Sequence, residues 1–192
     1  MKGKNLSILH SHPPWQNKYM KNYNPRSVWS RVLIVLGSVA MVIGAIDPME
    51  GAAIILPGSL LVALGTCLGP SERRLIAYRV AVFILIAIGV GAMWILSAAG
   101  GIGGKSAHSM WWGVLILPYL VGWSMGIWGP GAPRWLLGAG IGVSLWYLVI
   151  VAMVLKHPRA HGGSLPAIII AVTGVLTITG CTSRLTRRIP AK

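Results

Sequence analysis

Six apolar runs, separated by short polar or glycine-rich stretches, dominate the pattern of hydrophobic and polar positions in this chain. Each run is about 18 to 23 residues long, close to the ~20 residues that an α-helix needs to cross ~30 Å of hydrocarbon. The pattern predicts an all-α, polytopic membrane bundle of three helical hairpins. The predicted spans cover residues 29–46, 52–69, 75–97, 111–129, 135–155 and 164–182.

The first predicted hairpin turns at residues 47–51, where Pro48 disfavours helix at Asp47 and Gly51 permits a tight turn. Its two runs are near the lower length limit for a membrane span. A re-entrant first hairpin, which would leave four full spans, is therefore the alternative to six spans.

The composition supports a membrane protein. Hydrophobic residues make up 55% of the 192 positions and charged residues only 10%, with a mean hydropathy of +0.70. Soluble domains carry about 25% charged residues. A chain this poor in charge cannot cover a water-facing surface, which makes the bilayer its expected solvent.

The basic residues predict the orientation of the bundle. In the six-span topology, 14 of the 17 Lys and Arg lie on the N-terminal side and 3 on the opposite side. The positive-inside rule then places both termini in the cytoplasm of a cell bounded by a plasma or bacterial inner membrane. The turn with Asp47 and Glu50 faces out. Tryptophans near span ends, as in an aromatic belt, agree with this frame: Trp29, Trp111, Trp112, Trp128 and Trp135.

The termini are predicted to be polar, basic tails around a membrane domain of residues 28–183. In the N-terminal tail, 1–27, the aromatic residues near 14–23 are compatible with an interfacial helix or with an unstructured segment. The C-terminal tail is 184–192. Anionic lipids at the cytoplasmic face are the expected partners of these charges. Nucleic acid is not expected, because the basic residues cluster at the ends of apolar runs.

Few polar residues are candidates for chemistry, and all are assigned to the outer side. Asp47 and Glu50 would form either a cation entrance or a solvated turn. His108, His157 and His161 would either bind a metal or sense pH, or be exposed loop residues. We predict no catalytic set, no metal site and no cofactor.

Small residues and prolines suggest where helices pack or bend. Gly65 and Gly69, and likewise Gly122 and Gly126, have the four-residue spacing that lets helix backbones approach closely. Pro57 and Pro118 are candidates for helix kinks. The tryptophan-rich faces would contact helices and lipid, or bind a pigment or a quinone.

These observations favour a non-enzymatic membrane subunit or scaffold, which packs against other membrane proteins or against copies of itself. The alternative is a small-solute transporter or channel with its acidic entrance at Asp47 and Glu50. A third hypothesis is a membrane enzyme that acts on lipid head groups through His157 or His161.

Overall fold

The computed structural model describes residues 25–47, 50–101, 110–156 and 165–187, and all regular secondary structure in these ranges is helical. This confirms the all-α prediction. The six α-helices are α1 (Pro25–Gly44), α2 (Ala52–Leu68), α3 (Arg73–Ala98), α4 (Leu117–Trp128), α5 (Arg134–Lys156) and α6 (Leu165–Thr186), and a 3₁₀ helix (Met110–Ile116) precedes α4.

Four of these helices, α1, α3, α5 and α6, are long and apolar enough to cross a membrane, while α2 and the fourth apolar run form shorter apolar helices. Large apolar side chains also cover the outside of the bundle, as the exposed fractions of Ile95 (72%), Met153 (63%) and Leu176 (61%) illustrate. A water-facing surface would not carry so many. By the composition of its helices, the chain is a multi-pass membrane protein.

The fourth apolar run reaches membrane thickness by combining two kinds of helix. The seven residues of the 3₁₀ helix rise ~14 Å at ~2.0 Å each, and the twelve residues of α4 add ~18 Å. Together they approach 32 Å. By contrast, the 17 residues of α2 span only ~26 Å.

Pro118 does not bend a continuous helix as the sequence suggests. It is the second residue of α4, immediately after the 3₁₀ helix ends at Ile116. Proline is well suited to a first helical turn, because the N–H that it lacks would have no intrahelical partner there. Pro118 thus marks the change from 3₁₀ to α geometry. Pro57, in contrast, lies inside α2.

The most extensive helix contacts are those within three antiparallel hairpins, α1–α2, α3–α4 and α5–α6. In the first hairpin the two backbones are very close. A Cβ atom added to Gly65 would lie 2.9 Å from the carbonyl oxygen of Ser30, and one added to Gly58 would lie 2.9 Å from Cβ of Ala40. Glycine is therefore needed at both positions for this packing.

A shared core joins the three hairpins. Its fully buried large side chains come from α2, α3, α4 and α5: Ile55, Ile86, Ile127, Leu136 and Leu137. Helices α4 and α6 run parallel, and the Ser124 and Thr177 hydroxyl oxygens are 2.8 Å apart between them. Thr177 Oγ1 is also 2.8 Å from the Thr173 carbonyl oxygen. With one proton per hydroxyl, both bonds form when Thr177 donates to Thr173 and Ser124 donates to Thr177.

We expect Gly65→Ala to destabilise the protein by about 1–3 kcal/mol, because the new methyl group would press on the backbone of α1 and force the first hairpin apart. The measurement is unfolding in mixed micelles followed by circular dichroism. Gly91→Ala on α3 is the matched control: no described atom lies within 4 Å of the added Cβ, so stability should be unchanged or slightly higher. Equal losses for both variants would contradict the packing described here.

Candidate functional site

The acidic turn between α1 and α2 is anchored to the bundle. Asp47 and Glu50 are both exposed, and the Gly51 N–H donates to the Asp47 carbonyl at 2.7 Å. The Tyr147 hydroxyl on α5 donates to the Ala45 carbonyl at 2.6 Å and fixes the start of the turn. The structure therefore places both carboxylates at the surface, in a turn whose start is bonded to α5. Their proposed role as a cation entrance stays a prediction.

The three histidines His108, His157 and His161 lie outside the described residues, as do the segment 14–23 and residues 188–192. Among the residues that the structure does describe, no cluster of three or more His, Cys, Asp and Glu could hold a metal ion.

The C-terminal turns of three helices have a common feature: carbonyl groups there accept hydrogen bonds from side chains of other helices. The last four carbonyls of an α-helix have no partner within the helix. In hydrocarbon, water cannot supply one, so each unpaired carbonyl is costly. At the end of α1, the Trp123 indole N–H donates to the Met41 carbonyl at 3.1 Å. At the end of α2, the Gly65 carbonyl accepts from the Gly69 N–H at 3.2 Å, and the Ser30 hydroxyl adds a second hydrogen bond at 2.6 Å.

The end of α4 is held by two neighbouring residues of α3. The Tyr78 hydroxyl donates to the Met125 carbonyl at 2.7 Å. The Arg79 guanidinium donates to the Gly126 carbonyl and to the Pro130 carbonyl, each at 3.1 Å. A cation is also favoured at this position because the C-terminal end of a helix carries partial negative charge.

Arg79 is the residue whose role the sequence analysis missed. In the six-span topology it is one of the 14 Lys and Arg on the N-terminal side, but its exposed fraction is only 6%. A sequence signal did exist. Residue 130 is a proline, so the Gly126 carbonyl, four residues earlier, lacks the backbone N–H that would normally donate to it in an α-helix. A donor from elsewhere is needed, and Arg79 supplies it.

Neighbouring helices pack against both glycine pairs that the sequence predicts for close packing. A Cβ added to Gly69 would lie 2.5 Å from Ser30 Oγ, and Gly65 faces the same residue. A Cβ added to Gly122 would lie 3.0 Å from the backbone nitrogen of Ile86, and one added to Gly126 would lie 2.6 Å from the Met41 terminal methyl. Both pairs therefore serve contacts within the chain.

A third pair with the same spacing, Gly138 and Gly142 on α5, faces outward. Both residues are exposed, and no described atom lies within 4 Å of a Cβ added to either. Gly140, between them, packs on the opposite side against Ile127. Large exposed side chains border the open pair on the same helical face: Trp135, Leu145, Trp146 and Val149.

Comparison with known proteins gave no relative. No protein-family model, no curated protein and no solved structure matches the chain. The functional argument therefore depends on the chain's own geometry.

We expect Arg79→Met to lower the free energy of unfolding by about 1–3 kcal/mol. The change removes two charge-assisted hydrogen bonds from the end of α4, an effect that is partly offset because a buried charge is also removed. Thermal unfolding in detergent measures this change in stability. Arg74→Met, an exposed arginine on the same helix, should change stability by less than ~0.5 kcal/mol. If the two variants were equally stable, the Arg79 bonds would not hold α4.

Proposed function

We propose that this protein is a non-enzymatic subunit of a membrane assembly, and that α5 is its docking helix. The observation that carries the proposal is the open pair Gly138 and Gly142. Three pairs of glycines with four-residue spacing occur in and at the ends of the described helices, and the other two receive a neighbouring helix within the chain. By the same packing rule, the third pair suits a helix from outside the chain.

The occupant we propose is α5 of a second copy. Most soluble homo-oligomers are two-fold dimers, whose interface uses the same patch on both subunits, and small-residue pairs in membranes commonly mediate symmetric helix dimers. The groove at Gly138 and Gly142 lies beside the ridge of Leu145 and Trp146 on one face. A groove next to a ridge is self-complementary when two such faces meet.

The internal polar groups fit a structural role better than a transport role. Trp123, Arg79 and Ser30 use their donors on helix-end carbonyls, so they stabilise the bundle. The chain's three acidic residues lie outside the helices, in the turn after α1 and in the short connection before α3. A cation-coupled transporter normally carries ionisable groups within its spans.

We propose further that all six helices cross the bilayer, with both termini in the cytoplasm, in a plasma or bacterial inner membrane. The support is the excess of Lys and Arg on one side of the alternating helices. The antiparallel hairpins agree with it, since they put the acidic turn at the opposite end from Arg73, Arg79 and Arg134.

The proposed dimer predicts that Gly138→Leu combined with Gly142→Leu weakens self-association by at least about 10-fold, because the leucines would hold the two backbones apart. Size-exclusion chromatography with light scattering, in mild detergent and over a range of protein concentrations, measures the association. Gly91→Leu is the matched control, since that glycine also has no described atom near its added Cβ.

A wild-type protein that stays monomeric in detergent, and shows no energy transfer between labelled copies in vesicles, would refute self-association. A complex with a different membrane protein that the double leucine variant also loses would instead assign the same α5 face to a different subunit.

The proposed topology predicts opposite labelling of two engineered cysteines in a Cys67→Ala background, in which Cys181 remains fully buried. In intact cells, Glu50→Cys should react with a membrane-impermeant maleimide, because it faces the outside. Arg73→Cys should react only after the cells are permeabilised. The reverse pattern would invert the orientation. No labelling of Glu50→Cys from outside, with Arg73→Cys still labelled only after permeabilisation, would favour the re-entrant first hairpin.

A further inference from the structure

A partly open cavity of about 170 Å³ lies between the helices, in the half of the bundle that contains the acidic turn. It is bounded by the residue that follows α1, by α3, by the 3₁₀ helix and by α4, α5 and α6, so nearly every part of the fold contributes to its wall. Aromatic and aliphatic side chains such as Met93, Tyr119, Leu120 and Ile170 provide most of its surface. Its size is close to that of an engineered 150 Å³ apolar cavity that stays dry and binds benzene.

The wall contains a buried hydroxyl that is unsatisfied, that of Ser144. Ser144 on α5 is 2% exposed, and its Oγ has no hydrogen-bond partner among the described residues. The hydroxyls of Thr173 and Tyr147, which also line the cavity, each bond to a main-chain carbonyl. A buried hydroxyl without a partner costs about 1–3 kcal/mol, so Ser144 gains from any group in the cavity that can share a hydrogen bond.

We propose that this cavity is a binding site for a small uncharged ring that carries one hydroxyl or carbonyl oxygen, with Ser144 as its hydrogen-bond partner. The volume admits about one six-membered ring and is below the 300–1,000 Å³ of drug-sized sites. None of the described residues in the wall is charged, and burying a charged ligand there without a counter-charge would be strongly unfavourable. The apolar walls suit the ring, and the single polar contact sets its orientation.

The alternative occupant is a water molecule bonded to Ser144. A stably buried water makes about three hydrogen bonds. The Thr173 and Tyr147 hydroxyls already donate to main-chain carbonyls, so toward such a water they can only accept. An organic ring with one oxygen contacts both the apolar and the polar part of the wall, whereas water gains only from the hydroxyls.

The test compares 4-bromophenol with 4-bromotoluene, which has a similar shape but no hydroxyl. Trp123 lines the cavity, so a bromine atom in the site should quench its fluorescence in a saturable way, above the linear quenching that follows from partition into micelles. We expect 4-bromophenol to bind the wild-type protein more tightly than 4-bromotoluene. Ser144→Ala should weaken the binding of 4-bromophenol by about 3- to 10-fold, as the loss of one hydrogen bond predicts, and should leave the binding of 4-bromotoluene unchanged.

Two variants fill the cavity and should remove the saturable quenching by both probes. Ser144→Leu projects into it from α5, and Thr173→Leu does so from α6, where the lost hydroxyl bonds only to its own helix. The second variant keeps the test decisive if the first does not fold. Ser59→Ala, a buried serine of α2 that does not line the cavity, should bind both probes as the wild-type protein does.

If saturable quenching persists in both variants with a filled cavity, the probes bind elsewhere, and the assignment of this cavity as the binding site is wrong. Equal affinity of 4-bromophenol for the wild-type protein and for Ser144→Ala would remove Ser144 as the partner and overturn the proposal in that form. Neither result depends on whether the protein forms dimers, because Gly138 and Gly142 lie on the opposite face of α5 from Ser144.

Discussion

The structure depends on one constraint: a helix that ends in a low-dielectric environment must find donors for its last carbonyl groups. Here the donors are side chains from other helices. Trp123 donates to a carbonyl of α1, and Tyr78 and Arg79 donate to carbonyls of α4. Ser30 adds a second donor to the Gly65 carbonyl of α2, which also accepts from the Gly69 N–H. Each of these bonds also joins two helices. The same few polar residues therefore satisfy the backbone and determine how the hairpins are arranged.

This arrangement explains why so few polar side chains suffice to organise a bundle that is mostly apolar. Apolar contacts between helices give little preference for one neighbour over another, because lipid tails are equally apolar. A bond such as that from Arg79 to the Gly126 and Pro130 carbonyls is specific to one position and one orientation. The glycines then bring the backbones close enough for these short side chains to reach, as Ser30 reaches Gly65.

The sequence predicted the number and approximate positions of the helices, because six long apolar runs leave little choice in a chain with 10% charged residues. It could not assign the glycine pairs. Gly65 and Gly69 have the same spacing as Gly138 and Gly142, but the first pair faces α1 and the second faces outward. Spacing shows that two residues share a helical face, and only the tertiary arrangement shows what that face meets. The cavity beside Ser144 was unpredictable for the same reason, since its wall combines residues from most of the chain.

The bonds at the end of α1 also have a consequence for the order in which the chain matures. The Met41 carbonyl receives its donor from a residue 82 positions later, and the Ala45 carbonyl from one 102 positions later. A chain that is inserted from its N-terminus thus completes its first hairpin long before these partners are synthesised. Until α4 and α5 arrive, water at the membrane surface must solvate this end of α1, which favours keeping the turn between α1 and α2 at the interface. When α4 and α5 pack against this end, Trp123 and Tyr147 replace the water.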